Sequence, residues 1–279
     1  MLHFDTYAGG RQCVYQCPRV CAKEASHQVS GHSKWAQIKR AKGANDVKRG
    51  QLFTKLGREI SIAAREGGAD PDGNPRLRMA IDHAREANMP MDTIQRAIQR
   101  GVGGAEGAAL EEVVYEAYGA GGAALLIEAT TDNRNRTVAE VRATLTRGGG
   151  SLGEAGSVAW NFESRGIILA HPKDRTEPED LALKAIDAGA DDFSVDGSDV
   201  EVLTDPAQLD EVRRGIEAAG AVVTNAEVAM VPKTQLELPN DQTTAVMRLV
   251  ERLEDLDDVT RVYTNVHISD EVLAQATAG

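Results

Sequence analysis

Eight cations crowd into the stretch from Ser30 to Ile60: Lys34, Lys39, Arg40, Lys42, Lys48, Arg49, Lys55 and Arg58, against only Asp46 and Glu59. Ammonium and guanidinium groups at this density neutralise phosphates and release counterions, a salt-sensitive and largely sequence-independent attraction. Lys39, Arg40 and Lys42 fall on one helical turn and are the best candidates for phosphate contacts; the competing explanation for such a run is a solvated basic face. Trp35, set among Lys34, Lys39 and Arg40, could stack on a base or pack beneath a helical module. His32 could donate to a phosphate or shape the N-terminal turn. A second pair of cations, Arg134 and Arg136, lies in the loop Thr131 to Thr137. It could touch nucleic acid, or pair with nearby carboxylates while Asp132 and Asn133 build an Asx turn that caps the next helix.

The rest of the chain has the opposite sign. The whole molecule of 279 residues carries −12, but residues 105–279 hold fourteen basic and thirty-three acidic side chains. A polyanion would therefore be drawn to one end and repelled by the other, which suits a nucleic-acid binder with an acidic body left for protein partners. No run of about 18 apolar residues is present, so no membrane partner is expected. All three cysteines, Cys13, Cys17 and Cys21, lie in the first 29 residues; a body without cysteine needs no disulfide and fits a reducing cytoplasm.

Other chemistries find no footing. Gly119-x-Gly121-x-x-Ala124 matches a dinucleotide fingerprint as a string, but a strand-like run follows it where a helix is required, so it reads as a hairpin turn. Gly149-x-Ser151-x-Gly153 has its strand and helix in the wrong order for a nucleophile elbow. The six histidines are scattered, and Cys-x3-Cys-x3-Cys includes Pro18 and lacks a fourth ligand at zinc spacing. The acidic run Glu254, Asp255, Asp257, Asp258 reads as a solvated helix end. No catalytic residue, metal or cofactor is expected.

These side chains need elements to place them. Phe53, Leu56, Ile60, Ala63 and Ala64 form one helical stripe that Gly67 and Gly68 end. Asn74 before Pro75 caps a second helix burying Leu77, Ala80, Ile81 and Ala84, and Asp92 with Gln95 is expected to cap a third around Ile94, Ala97 and Ile98. Gly101 to Ala109 reads as a linker. Beyond it, β-like runs, Ser157 to Phe162 among them with Trp160 and Phe162 on one core-facing side, alternate with helical patterns. Residues 166–231 follow the order strand, helix, strand, strand, helix, strand of a ferredoxin-like unit. The expected architecture is α+β with three domains: a basic helical domain at 30–104, then two ferredoxin-like α+β domains, one (166–231) inserted in the other (105–165 with 232–279).

The segment Gly31-His-Ser-Lys-Trp-Ala-Gln-Ile-Lys-Arg, with Lys48-Arg-Gly, Phe53-Thr-Lys-Leu, Gly67-Gly-x-Asp-Pro, Asn74-Pro-Arg-Leu-Arg, Ala87-Asn-Met-Pro and Thr131-Asp-Asn-Arg-Asn-Arg-Thr, closely resembles the YebC/PmpR family. The likeness runs in order over about residues 30–270. It implies a three-domain cytoplasmic protein that regulates transcription by binding promoter DNA. Mitochondrial relatives are translational activators of cytochrome c oxidase and some bacterial members are thought to act on the ribosome, so RNA or the ribosome is the alternative partner. The family usually begins at the Ser-Gly-His-Ser-Lys-Trp segment; the preceding leader, residues 1–29, is expected to be disordered or not translated, with Val29 as a GTG start.

Overall fold

The computed structural model describes Trp35 and residues 46–103, 110–173, 177–269 and 271–274. From residue 46 the described chain opens on three helices: α1 (Asp46–Gly67), α2 (Pro75–Glu86) and α3 (Met91–Val102). Their stripes close on one another, with Leu56, Ile60, Ala63 and Ala64 of α1 against Leu77, Ala80, Ile81 and Ala84 of α2 and Ile94, Ala97 and Ile98 of α3. Asn74 accepts from the Leu77 N–H while its amide donates to the Ala63 and Gly68 carbonyls, so one buried side chain starts α2 and closes α1. α1 and α3 touch almost backbone to backbone: a Cβ on Gly101 would lie 2.3 Å from the Ser61 carbonyl oxygen. The third cap differs from expectation, since α3 starts after Pro90, whose carbonyl takes the Thr93 and Ile94 N–H groups, and Asp92 lies inside the helix.

The first sheet comprises β1 (Glu111–Tyr118), β2 (Ala124–Thr131), the short β3 (Ser151–Leu152) and β8 (Val259–Thr264), in the order β3-β1-β2-β8, all antiparallel. Helices α4 (Arg134–Arg147) and α7 (Asn240–Glu254) cover one face, where Val141, Leu145, Val246, Leu249 and Val250 meet Val113, Ala117, Leu125, Ile127 and Val262. Between β3 and α7 the chain leaves this sheet to build another from β4 (Phe162–Pro172), α5 (Pro178–Asp187), β5 (Asp192–Asp196), β6 (Asp199–Thr204), α6 (Leu209–Ala218) and β7 (Ala221–Pro232). Its antiparallel order β5-β6-β4-β7 is that of a ferredoxin-like sandwich. The fold is thus α+β, a helical region followed by two antiparallel sheets, one inserted in the other.

The uncovered face of the first sheet meets the inserted one. Ala124, Leu126 and Tyr263 pack there against Phe162, Ile167, Ala229 and Val231, so β2 is buried on both sides. One expected strand is absent: Ala159–Asn161 is a 3-10 turn, and β4 begins only at Phe162. Phe162 is 4% exposed and enters the seam, whereas Trp160 is 67% exposed and not part of any core. The Gly119 to Ala123 segment is, as read, the turn of the β1–β2 hairpin, with Gly121 at φ 67°.

Candidate nucleic-acid interface

Of the expected phosphate ligands, His32, Lys34, Lys39, Arg40 and Lys42 lie outside the described residues, as does the side chain of Lys48, although its backbone belongs to α1. Arg49 is exposed near the start of α1. One turn further on the helix docks. The Lys55 ammonium donates to the Glu254 carbonyl and Gln51 donates to Asp257 Oδ1 (3.3 Å). Arg58 reaches the Asp257 carbonyl (2.8 Å), Asp258 Oδ1 (2.9 Å) and the Thr130 carbonyl (3.3 Å). Apart from Thr130, which belongs to β2, these partners sit at and just beyond the C-terminal end of α7, where unpaired carbonyls carry partial negative charge and attract cations.

Asp258 is the centre of this contact. It is 3% exposed, and besides Arg58 it receives Arg136 (2.6 Å), the Thr137 hydroxyl (2.7 Å) and the Thr131 hydroxyl (3.2 Å). Burial alone would raise its pKa; the Arg136 and Thr137 hydrogen bonds and the charges of Arg136 and Arg58 outweigh that and hold the carboxyl below its ordinary range. The reading of this acidic run as a solvated helix end is therefore corrected at Asp258. Nothing local distinguishes that residue from Asp257: its partners come from α1, β2 and α4, 121 to 200 positions away.

Arg136 also pairs with Asp132 (2.8 Å), and Asn133 caps α4 by accepting the Arg136 N–H. Arg134 stays two-thirds exposed beside Glu111 (3.3 Å). The structure thus gathers Lys55, Arg58 and Arg136 into one cluster already neutralised by carboxylates and carbonyls, and leaves Arg134 and Arg49 at the surface. Trp35 takes neither of the two places weighed for it: it is 8% exposed and so not available for stacking, and it packs with Met247, Ile268, Val272 and Leu273 and not in the helical core.

A second, partly buried network ties the helical region, the first sheet and the inserted sheet together. Arg261 lies between Glu227 (2.9 Å) and Glu59 (4.0 Å) and donates to the Val228 carbonyl, and Tyr263 donates to Glu128 (3.3 Å). Burial works against the Arg261 charge, but Glu227, Tyr263 and Glu59 together raise its pKa. Burial likewise pushes the Glu128 carboxyl up, more than Arg261 and Tyr263 pull it down. Among the described residues no group of three His, Cys, Asp or Glu side chains could hold a metal, and no helix is long and apolar enough to cross a membrane.

Two family models match the chain: the TACO1/YebC protein N-terminal domain over residues 33–104, and the TACO1/YebC second and third domain over residues 110–266. A protein of Roseiflexus castenholzii described as "Probable transcriptional regulatory protein" is 55% identical over 255 residues, covering 90% of this chain and 100% of that protein. One of Moorella thermoacetica with the same description is 54% identical over 251 residues, covering 88% and 99%. The crystal structure of a conserved hypothetical protein, Aq1575 of Aquifex aeolicus, superposes with a TM-score of 0.74 at 43% identity, covering 82% of this chain and 94% of that one. The three helices, the double seam and the inserted sheet are those of a shared lineage, and the chain belongs to the TACO1/YebC family.

Proposed function

We propose that the protein is a non-enzymatic, cytoplasmic nucleic-acid-binding regulator of gene expression, in the first place a DNA-binding transcriptional regulator. The observation that carries this reading is the separation of charge: eight cations against two acids between Ser30 and Ile60, fourteen against thirty-three from residue 105 onward. The relatives from Roseiflexus and Moorella bear names of that kind. Phosphate neutralisation by Lys34, Lys39, Arg40, Lys42, Lys48 and Arg49 supplies the affinity, and Arg134 adds a second contact. The division into domains at 30–104, 105–165 with 232–279, and 166–231 belongs to the same proposal, with the first as the binding part and the acidic two as sites for protein partners.

An RNA- or ribosome-associated translation factor is the second reading. The docking of α1 onto α7 favours it, because that helix has Lys55 and Arg58 turned into the molecule and is not a free rod for the major groove. Recognition would then rest on phosphate positions and on single-stranded or structured regions.

Gel shifts with promoter DNA against co-sedimentation with ribosomes separate the two. In either assay charge reversal at Lys39, Arg40 and Lys42 is expected to lower affinity by tenfold or more while leaving the thermal melt unchanged. Unaltered affinity would refute the assignment of this surface.

A further inference from the structure

The sheet face opposite α4 and α7 is covered by the inserted unit only over β2 and β8. Along β1 it stays open: Val114, Glu116 and Tyr118 point to that side, since their partners in β2 are Glu128, Leu126 and Ala124, and both Val114 and Tyr118 are exposed. Trp160 stands beside them on the 3-10 turn. The Tyr118 hydroxyl and the Trp160 ring N–H both donate to one acceptor, the Ser157 carbonyl, each at 3.0 Å. Two aromatic rings from distant parts of the chain are thereby fastened to a single oxygen, with their polar edges already used and the indole 67% exposed.

The turn that holds them is braced. Glu116 accepts the backbone N–H groups of Gly156 (2.5 Å), Val158 (2.6 Å) and Ala159 (2.8 Å), and Asn161 is tied to Thr234 through both its amide and its carbonyl oxygen. Lys233, exposed, donates to the Trp160 backbone carbonyl (3.3 Å) and so puts an ammonium on the turn that carries the ring; Glu154 is the one carboxylate on the same loop. A single exposed ring is ordinary, but two exposed rings brought to one carbonyl form a patch of the kind that marks an interaction site. Rings of low conformational freedom with a cation alongside suit a base and its phosphate, because every base offers a π-face. An open antiparallel sheet face bearing aromatics is also how single strands are commonly held.

We propose that Trp160 and Tyr118 form a stacking site for an unpaired base of single-stranded DNA or RNA, with Lys233 contacting the adjoining phosphate. The site deepens the nucleic-acid reading above and rests on it, adding a contact to unpaired bases that a basic arm does not supply.

The chain has two tryptophans, of which Trp35 is buried, so the emission present in the parent and missing from Trp160→Ala reports on Trp160. The full-length protein is titrated with oligo(U), with oligo(dT) and with a duplex, each about 12 nucleotides long. Quenching by either single strand and not by the duplex, abolished in Trp160→Ala together with a roughly 5- to 100-fold loss of single-strand affinity, is the expected result. Which oligomer quenches more tells which sugar is preferred. Lys233→Glu leaves both rings in place and should weaken single-strand binding while reducing the salt slope by about one. Single-strand binding in gel shifts that neither quenches emission nor responds to these substitutions overturns the stacking site and leaves the nucleic-acid reading intact. Equal quenching by the duplex overturns the preference for unpaired bases. Failure to bind any of the three in dilute buffer overturns both.

Discussion

Asp258, buried, and Glu128, partly buried, are carboxylates of the two networks, and their environments move them in opposite directions. Asp258 is lowered, so as the pH falls the unfolded chain takes up this proton before the folded one does. Its contribution to stability is whole above the ordinary aspartate value of 3.8 and is lost as pH falls through the folded value. Asp258→Asn removes the charge from under Arg58 and Arg136; with Arg136 half exposed and still paired to Asp132, the loss should be about 1–3 kcal/mol near neutral pH. Denaturant melts of the variant and the parent should converge in strong acid. Glu128 is raised, so its ionisation opposes folding above the ordinary glutamate value of 4.5. Glu128→Gln, which can still accept from Tyr263, should therefore raise the melting temperature by about 2 °C at neutral pH. That gain should disappear as the pH drops to where the parent carboxyl is protonated. Neither shift was legible in the sequence, because each comes from partners brought in by different elements.

At the scale of the element, what could be read was what is local. The stripes of α1 and α2, the Asn74 and Asn133 caps and the β1–β2 turn depend on neighbours within a few positions, and the structure has them. Ser157 to Phe162 failed for the complementary reason. Val158, Trp160 and Phe162 alternate as strand residues do, yet the backbone N–H groups of Gly156, Val158 and Ala159 are taken by Glu116, 42 positions earlier at Val158. A side chain that captures three donors wins over a two-residue period. The fourth strand of the first sheet is the two-residue β3 in place of Ser157 to Phe162. Glu116→Gln tests this directly. An amide has only one acceptor oxygen for these N–H groups, so the turn should loosen: amide exchange at Val158 and Ala159 should quicken by about tenfold or more, for a loss of about 1–3 kcal/mol of local stability. The β1–β2 hairpin should stay protected.

For the whole molecule, the docking of α1 decides which cations are free to act. Lys55 and Arg58 hold the helical region against the first sheet and Arg136 shares Asp258 with Arg58, so a phosphate could use these cations only by displacing Asp258 and the carbonyls at the end of α7. Binding and docking through the same groups would then compete, and linkage would make any weakening of the dock tighten the complex. Cations not held in this way carry no such cost. Arg58→Gln should accordingly lower stability by about 1–3 kcal/mol and leave nucleic-acid affinity within about twofold. Reversal of Lys39, Arg40 and Lys42 should do the opposite, and should reduce the slope of log affinity against log salt by about 3 for duplex DNA. Affinity measured over a salt series for the two variants distinguishes a head that binds while docked from one that must first let go. A clear tightening by Arg58→Gln would mean that the acidic end of α7 restrains binding and that other cations held there, Lys55 or Arg136, take part once released.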